Sequence, residues 1–251
     1  MKVLRIPIPM DRLRSMTKEE RAFLFLLGYA ENQLVMIYKL IMFSTNKTPE
    51  REIEHQISAA QSHMLVRLAI GVVFEAWELV NNRLTKSLLG KQLRPNLGTT
   101  GEQALTELQK HFGSSNLLNK LRNNFSFHNP DDAYIEAGFE RASRNKDVDQ
   151  YWTWYVTPHG GLMNTFHMAS DLVFMHGMLD VVGENDLVVA YEKIMVSLRT
   201  VYNALMELIP AVAGALMQRP FGSGLDAEVC LEINDAPNFT EVWIPFFVQD
   251  Q

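Results

Sequence analysis

Phe23-Leu24-Phe25-Leu26-Leu27-Gly28-Tyr29-Ala30-Glu31-Asn32-Gln33-Leu34-Val35-Met36-Ile37-Tyr38-Lys39-Leu40-Ile41 decides the fold class. Within it Phe23, Leu27, Ala30, Leu34, Ile37 and Ile41 follow one another at intervals of four and three. That is the spacing of one face of an α-helix. Thr17 ahead of Glu19 and Glu20 supplies an N-cap and an acidic first turn. The same period returns twice. Residues 49–87 hold a second helix, and its half from Met64 to Val80 is apolar nearly all round, as a buried central helix would be. Residues 184–217 hold a third, with a stripe through Tyr191, Ile194, Leu198, Val201, Leu205, Leu208 and Val212. Pro210 is expected to bend or interrupt it.

Shorter elements fill the gaps. Gly101 to Phe112 reads as a helix closed by Gly113, and Asn116 to about Asn124 as another. Asn129-Pro130-Asp131-Asp132 combines an amide cap, a proline and two acids, a helix start. Gly160 to Met178 is helical by pattern. Tyr151 to Thr157 reads as a short strand. Residues 94–101 and 143–149 are polar connections. From Glu228 to Val248 the composition is β-like, broken at Asn234 to Asn238 and at Pro245; a short hairpin and an arm wrapped on the bundle both fit. The expected fold is all-α: a bundle of long antiparallel helices over residues 1–225, with a small β-like C-terminal appendage over 226–251.

Composition narrows the class. Apolar residues make up 47% of the 251 and charged residues 21%, the balance of a folded protein. Cys230 is the only cysteine, which excludes an internal disulfide. Near the start, Pro7, Pro9 and Asp11 interrupt any secretory apolar run. Glu31, Asn32, Gln33 and Lys39 interrupt the greasy segment 23–43, and no run is read as a membrane span. The expectation is a soluble cytoplasmic protein. A net charge of −6 argues against a broad nucleic-acid surface but not against one local phosphate site.

Chemistry concentrates in Arg122-Asn123-Asn124-Phe125-Ser126-Phe127-His128. Arginine holds phosphate through a planar fork of donors. Histidine exchanges a proton near neutral pH. On one unbroken helix, residues six apart lie about 120° apart around the axis. The cap at Asn129-Pro130 instead predicts that one helix ends near Phe125 and the next begins at Pro130. Arg122 and His128 would then meet at a corner. The adjoining helix N-terminus there would favour neutral imidazole.

With Leu118 and Leu121 ahead of it, this block resembles the RxxxxxH signature of HEPN domains. These are small helical modules found in many metal-independent ribonucleases of toxin and antiviral systems. The match covers about a dozen residues, and Asn129-Pro130 after the histidine departs from many relatives. The resemblance implies a catalytic set: His128 as proton-transfer group, Arg122 as phosphate clamp, and Asn123 orienting the histidine or a phosphate oxygen. It implies a homodimer, since such enzymes commonly pair two motifs across an interface. RNA is the implied substrate, an antitoxin a possible partner, and neither metal nor cofactor is required. Some members have lost catalysis and serve as binding modules.

Other groups read as structural. Glu52-Ile53-Glu54-His55 holds a single Glu-x-x-His where a di-iron bundle needs two; a solvated acidic helix start accounts for it. Glu75 and Glu78 sit in the most apolar helix, either at its edge or buried against Arg67, Arg83 or Arg122. His167 and Asp171 share a helix face at i, i+4, but no third ligand stands at diagnostic spacing. Tyr151, Trp152, Trp154 and Tyr155 fit a core or dimer interface better than a base-stacking platform. Thirteen methionines and fourteen phenylalanines leave room for a third reading, a bundle that binds a ligand in an apolar cavity.

Overall fold

The computed structural model describes residues 1–45, 48–113, 116–127, 129–157, 164–222 and 227–248. In chain order the elements are β1 (Lys2–Arg5), α1 (Met10–Ser15), α2 (Lys18–Ser44) and α3 (Glu52–Val80). A π-helical turn (Asn81–Thr85) and α4 (Leu88–Leu93) follow, then a 3-10 turn (Arg94–Asn96), α5 (Gly98–Phe112) and α6 (Leu117–Leu121). A second π-helical turn (Arg122–Ser126) leads to α7 (Asp132–Ser143), a 3-10 turn (Lys146–Tyr151), β2 (Trp154–Val156) and β3 (Thr165–His167). The chain closes with α8 (Met168–Val182), α9 (Leu187–Phe221) and β4 (Glu228–Glu232). The protein is an all-α helical bundle, and its sheets are two-stranded.

Two compact units share these elements. The first holds Met1–Val35, Glu75–Gly113 and Val201–Asn238; the second holds Met36–Phe74, Ser114–Thr200 and Phe239–Gln251. The long helices α2, α3 and α9 each give residues to both.

In the first unit α2 begins with a capping box. Thr17 Oγ1 accepts from the Glu20 amide at 3.2 Å, and the Thr17 amide donates to Glu20 Oε2 at 2.7 Å. Two otherwise orphaned donors are thereby satisfied. The apolar stripe of α2 turns inward: Phe23, Leu27 and Leu34 have no exposed surface. They share this core with Val80, Leu108, Leu205, Leu208 and Val212, also fully buried. Trp77 stacks on Phe112 at 5.1 Å. α9 is not interrupted at Pro210 but runs through it to Phe221. Leu208, Ile209 and Val212, all fully buried, hold the helix on both sides of the missing amide.

The β appendage of this unit is not a hairpin within the tail. β4 pairs antiparallel with β1, with a bulge between Val3 and Leu4. Arg5 pairs with Glu228, and Lys2 lies 3.4 Å from Glu232. Cys230 is exposed on β4.

In the second unit α7 and α8 touch backbone to backbone. A Cβ on Gly138 would fall 2.2 Å from the Val173 carbonyl oxygen, and one on Gly177 would fall 2.8 Å from that of Tyr134. Only glycine permits that approach. The helix expected from Gly160 starts later. Residues 160–163 lie outside the described residues, Thr165–His167 pair with Trp154–Val156 as a strand, and α8 begins at Met168. The start expected at Pro130 likewise falls at Asp132, with Asp131 as N-cap. Tail residues dock here as an arm. Asn164, buried, donates to the Val248 carbonyl at 2.6 Å and accepts from its amide at 3.0 Å, as a strand partner would. The Ile244 amide donates to the Phe43 carbonyl at 2.9 Å, and Phe246 meets Phe166 at 4.9 Å.

Two helical stretches, Glu52–Thr85 and Leu187–Gln218, have the length and hydropathy of a membrane span, with mean hydropathy 1.5 and 1.4. The expectation that no run reaches span length therefore fails for them. Core helices of soluble proteins meet the same measure, and 44% of each window is buried within the protein.

Candidate functional site

The Arg122 corner is built against α3. Asn116 caps α6, its side chain accepting from the Asn119 amide at 2.9 Å. Fully buried Leu118 and Leu121 anchor that helix. The chain then widens into the π turn Arg122–Ser126, which ends at Phe127. The turn lets Phe125 bury itself edge-on to Tyr134 at 5.4 Å while Arg122 faces α3. The Arg122 guanidinium lies over the Phe74 ring, 4.7 Å from its centre. That contact is a cation–π interaction, strengthened by partial desolvation. Arg122 Nη1 also donates to Asn123 Oδ1 at 3.2 Å. One helical turn before Phe74, a Cβ on Gly71 would strike the Phe127 ring at 2.2 Å. Arg122 and Phe127 thus both dock on the Gly71–Phe74 face of α3. Asn123 stays exposed, its amide donating to Asn119 Oδ1 at 3.4 Å. His128 lies outside the described residues.

A second group of polar side chains lies deeper in the same unit. On α3, Ser62, His63 and Arg67 face α8 and α9. Arg67 Nη2 donates to Asp171 Oδ1 at 3.0 Å, and both side chains are nearly fully buried. The other face of the cluster is Tyr191, whose hydroxyl lies 3.3 Å from Ser62 Oγ and whose ring meets His63 edge-on at 4.5 Å. The Arg67 guanidinium also sits 5.6 Å from the centre of the Phe174 ring.

Burial shapes the charges here. It lowers the His63 pKa to about 4, with the Arg67 charge adding to the effect, so His63 is neutral at physiological pH. Burial pushes the Asp171 carboxyl above its usual range, although the charge and hydrogen bond of Arg67 pull the other way. The Tyr191 phenol is raised by burial as well. Asp171 Oδ2, Arg67 Nη1 and His63 Nδ1 are buried with no hydrogen-bond partner among the described residues.

This cluster escapes the spacing rules because Arg67 and Asp171 stand 104 residues apart. A signal for it does exist. Arg67 is a lone cation in the most apolar part of α3, and Asp171 a lone anion early in apolar α8; each needs a partner if buried. His167, expected to share a helix face with Asp171, is instead on β3, exposed and edge-on to Trp154 at 4.4 Å. Glu75 is exposed, and half-buried Glu78 accepts from Asn82 Nδ2 at 3.4 Å. Tyr151, Trp152 and Tyr155 pack within the unit's own clusters, while Trp154 stays exposed. Among the described residues, no three His, Cys, Asp or Glu side chains gather as ligands of one metal ion. No family model, no curated protein and no solved structure matches this chain.

Proposed function

We propose that this chain is a HEPN-like, metal-independent endoribonuclease of a toxin or phage-defence system, acting in the cytoplasm as a homodimer. The observation that carries the reading is the π turn Arg122–Ser126 with Arg122 held over Phe74. π turns are rare and recur at functional sites. This one falls on the block that resembles the RxxxxxH motif, inside an all-α fold. In the mechanism, the ribose 2′-oxygen attacks the adjacent phosphorus as His128 takes its proton. The bond from phosphorus to the 5′-oxygen breaks, and that oxygen is protonated by the same histidine of a second copy. Arg122 neutralises charge on the non-bridging oxygens, and Asn123 orients the phosphate or the imidazole. An antitoxin that covers the corner would be the regulatory partner.

A non-catalytic interaction protein on the same fold is the second reading. The net charge of −6 favours it. Incubation of purified protein with mixed-sequence RNA separates the two. The ribonuclease reading expects EDTA-resistant cleavage to 2′,3′-cyclic phosphate ends, with DNA left intact. His128→Ala should lower the rate about 10²–10⁴-fold, and Arg122→Ala about 10²–10³-fold. Cleavage undiminished in His128→Ala rejects the assignment, and absence of cleavage throughout supports the interaction protein.

A further inference from the structure

Phe127 closes the π turn and is 51% exposed. A single exposed apolar side chain needs no explanation by itself, but the way this one is seated does. Gly71 lies within α3, where glycine weakens a helix. A Cβ there would come within 2.9 Å of Cδ2, Cε2 and Cζ of the Phe127 ring. The glycine thus makes room for one edge of the ring, and the remainder projects from α3 into solvent. Among the described residues no other aromatic ring packs on it, whereas the neighbouring Phe125 is buried edge-on to Tyr134. Phe74, which carries the Arg122 guanidinium, follows Gly71 by one helical turn, about 4.5 Å along the axis. A cation and an open aromatic ring are therefore held side by side on α3, the ring belonging to the residue that precedes His128.

We propose that Phe127 is the base-stacking platform of this corner: a nucleobase of single-stranded RNA lies on its ring while Arg122 holds an adjacent phosphate. The inference rests on the ribonuclease reading for its choice of ligand. Bases in an intact duplex are stacked on one another and offer no free face, so the strand bound is single or looped. Stacking accepts any base, because every base has a π-face. It also supplies affinity without a basic surface. Tracking a backbone by charge alone needs a positively charged groove, which a chain of net charge −6 is poorly composed to build. One ring beside one arginine needs none.

Fluorescence anisotropy of the full chain in EDTA tests this. The probe is a short single-stranded oligonucleotide with 2′-O-methyl sugars, which cannot undergo attack by the 2′-oxygen. The control is an abasic strand of the same length. The base-bearing strand is expected to bind saturably and more tightly than the abasic one. Phe127→Ala and Phe127→Leu should each weaken its binding by roughly 5- to 150-fold, the loss that removal of one stacking partner implies. Neither should change binding of the abasic strand. Leucine keeps an apolar contact with Gly71 and lacks only the ring, so it separates stacking from packing. It also carries the test if circular dichroism finds Phe127→Ala unfolded. The inference is overturned if the two strands bind alike, or if neither binds saturably. It is equally overturned if Phe127→Leu binds the base-bearing strand as the wild type does, or weakens both strands equally. RNA cleavage by the wild type alongside an unaffected Phe127→Leu rejects this inference and leaves the ribonuclease reading. Phe127-dependent binding without any cleavage does the reverse.

Discussion

At the scale of single residues, Asp171 and Arg67 make the most consequential pair. A buried ion pair contributes little over an apolar isostere, but breaking it strands a charge at a cost of about 3–5 kcal/mol. Asp171→Ala should therefore lower unfolding stability in urea by that order, and Arg67→Met added to it should recover most of the loss. His63 gives the pair a titratable neighbour. Its folded pKa, about 4, lies below its ordinary value of 6.5. Its contribution is thus fully present above pH 6.5 and is lost as pH falls towards 4, by up to about 3 kcal/mol. Burial lowers His176 and His111 too, with the same sign. Asp171 acts oppositely: with its pKa raised, its contribution is fullest below pH 3.8 and declines as pH rises through its folded value. Urea midpoints between pH 7 and pH 4 should fall for the wild type and fall less for His63→Gln. Equal slopes would remove His63 from the account.

At the scale of elements, the crossing of α7 and α8 in the second unit brings backbone against backbone. Gly138→Ala places a methyl 2.2 Å from a backbone carbonyl, which cannot rotate away as a side chain could. The two helices must separate, and a loss of about 2 kcal/mol or more is expected in denaturant unfolding, beyond the small gain alanine brings to an isolated helix. A stable Gly138→Ala variant would mean that the crossing yields more easily than its geometry implies. The helices themselves were legible because repeated apolar spacing records a buried face: Phe23, Leu27 and Leu34, and likewise Val201, Leu205, Leu208 and Val212, all turn inward. The Thr17 N-cap was legible because capping is local chemistry. Lys2-Val3-Leu4-Arg5 was not, since four residues carry too little alternation and their partner lies at the far end of the chain. Nor was β3, because Phe166 and Met168 prolong an apolar pattern that α8 then takes up. For the site, the Arg122 corner was visible as a cap signal after a helix. The α3 surface that receives Arg122 and Phe127 was not, because nothing local links Gly71 and Phe74 to a segment fifty residues on.

At the scale of the whole molecule, the proposed homodimer predicts twice the 28.7 kDa chain mass by light scattering at micromolar concentration. Phe25, Leu26 and Tyr29 leave large apolar side chains exposed together on α2. A monomer at that concentration would remove the two-copy mechanism. The β1–β4 ribbon bears on how the measurement is done. Its strand β4 carries Cys230, the chain's sole thiol, and leaves it exposed. Air oxidation of two chains through that sulfur would produce a covalent pair of the same mass as the proposed assembly. Reductant, or Cys230→Ser, is therefore a condition of the experiment. The same lone thiol accepts one fluorophore or spin label, so opening of the ribbon can be followed without introducing a second cysteine.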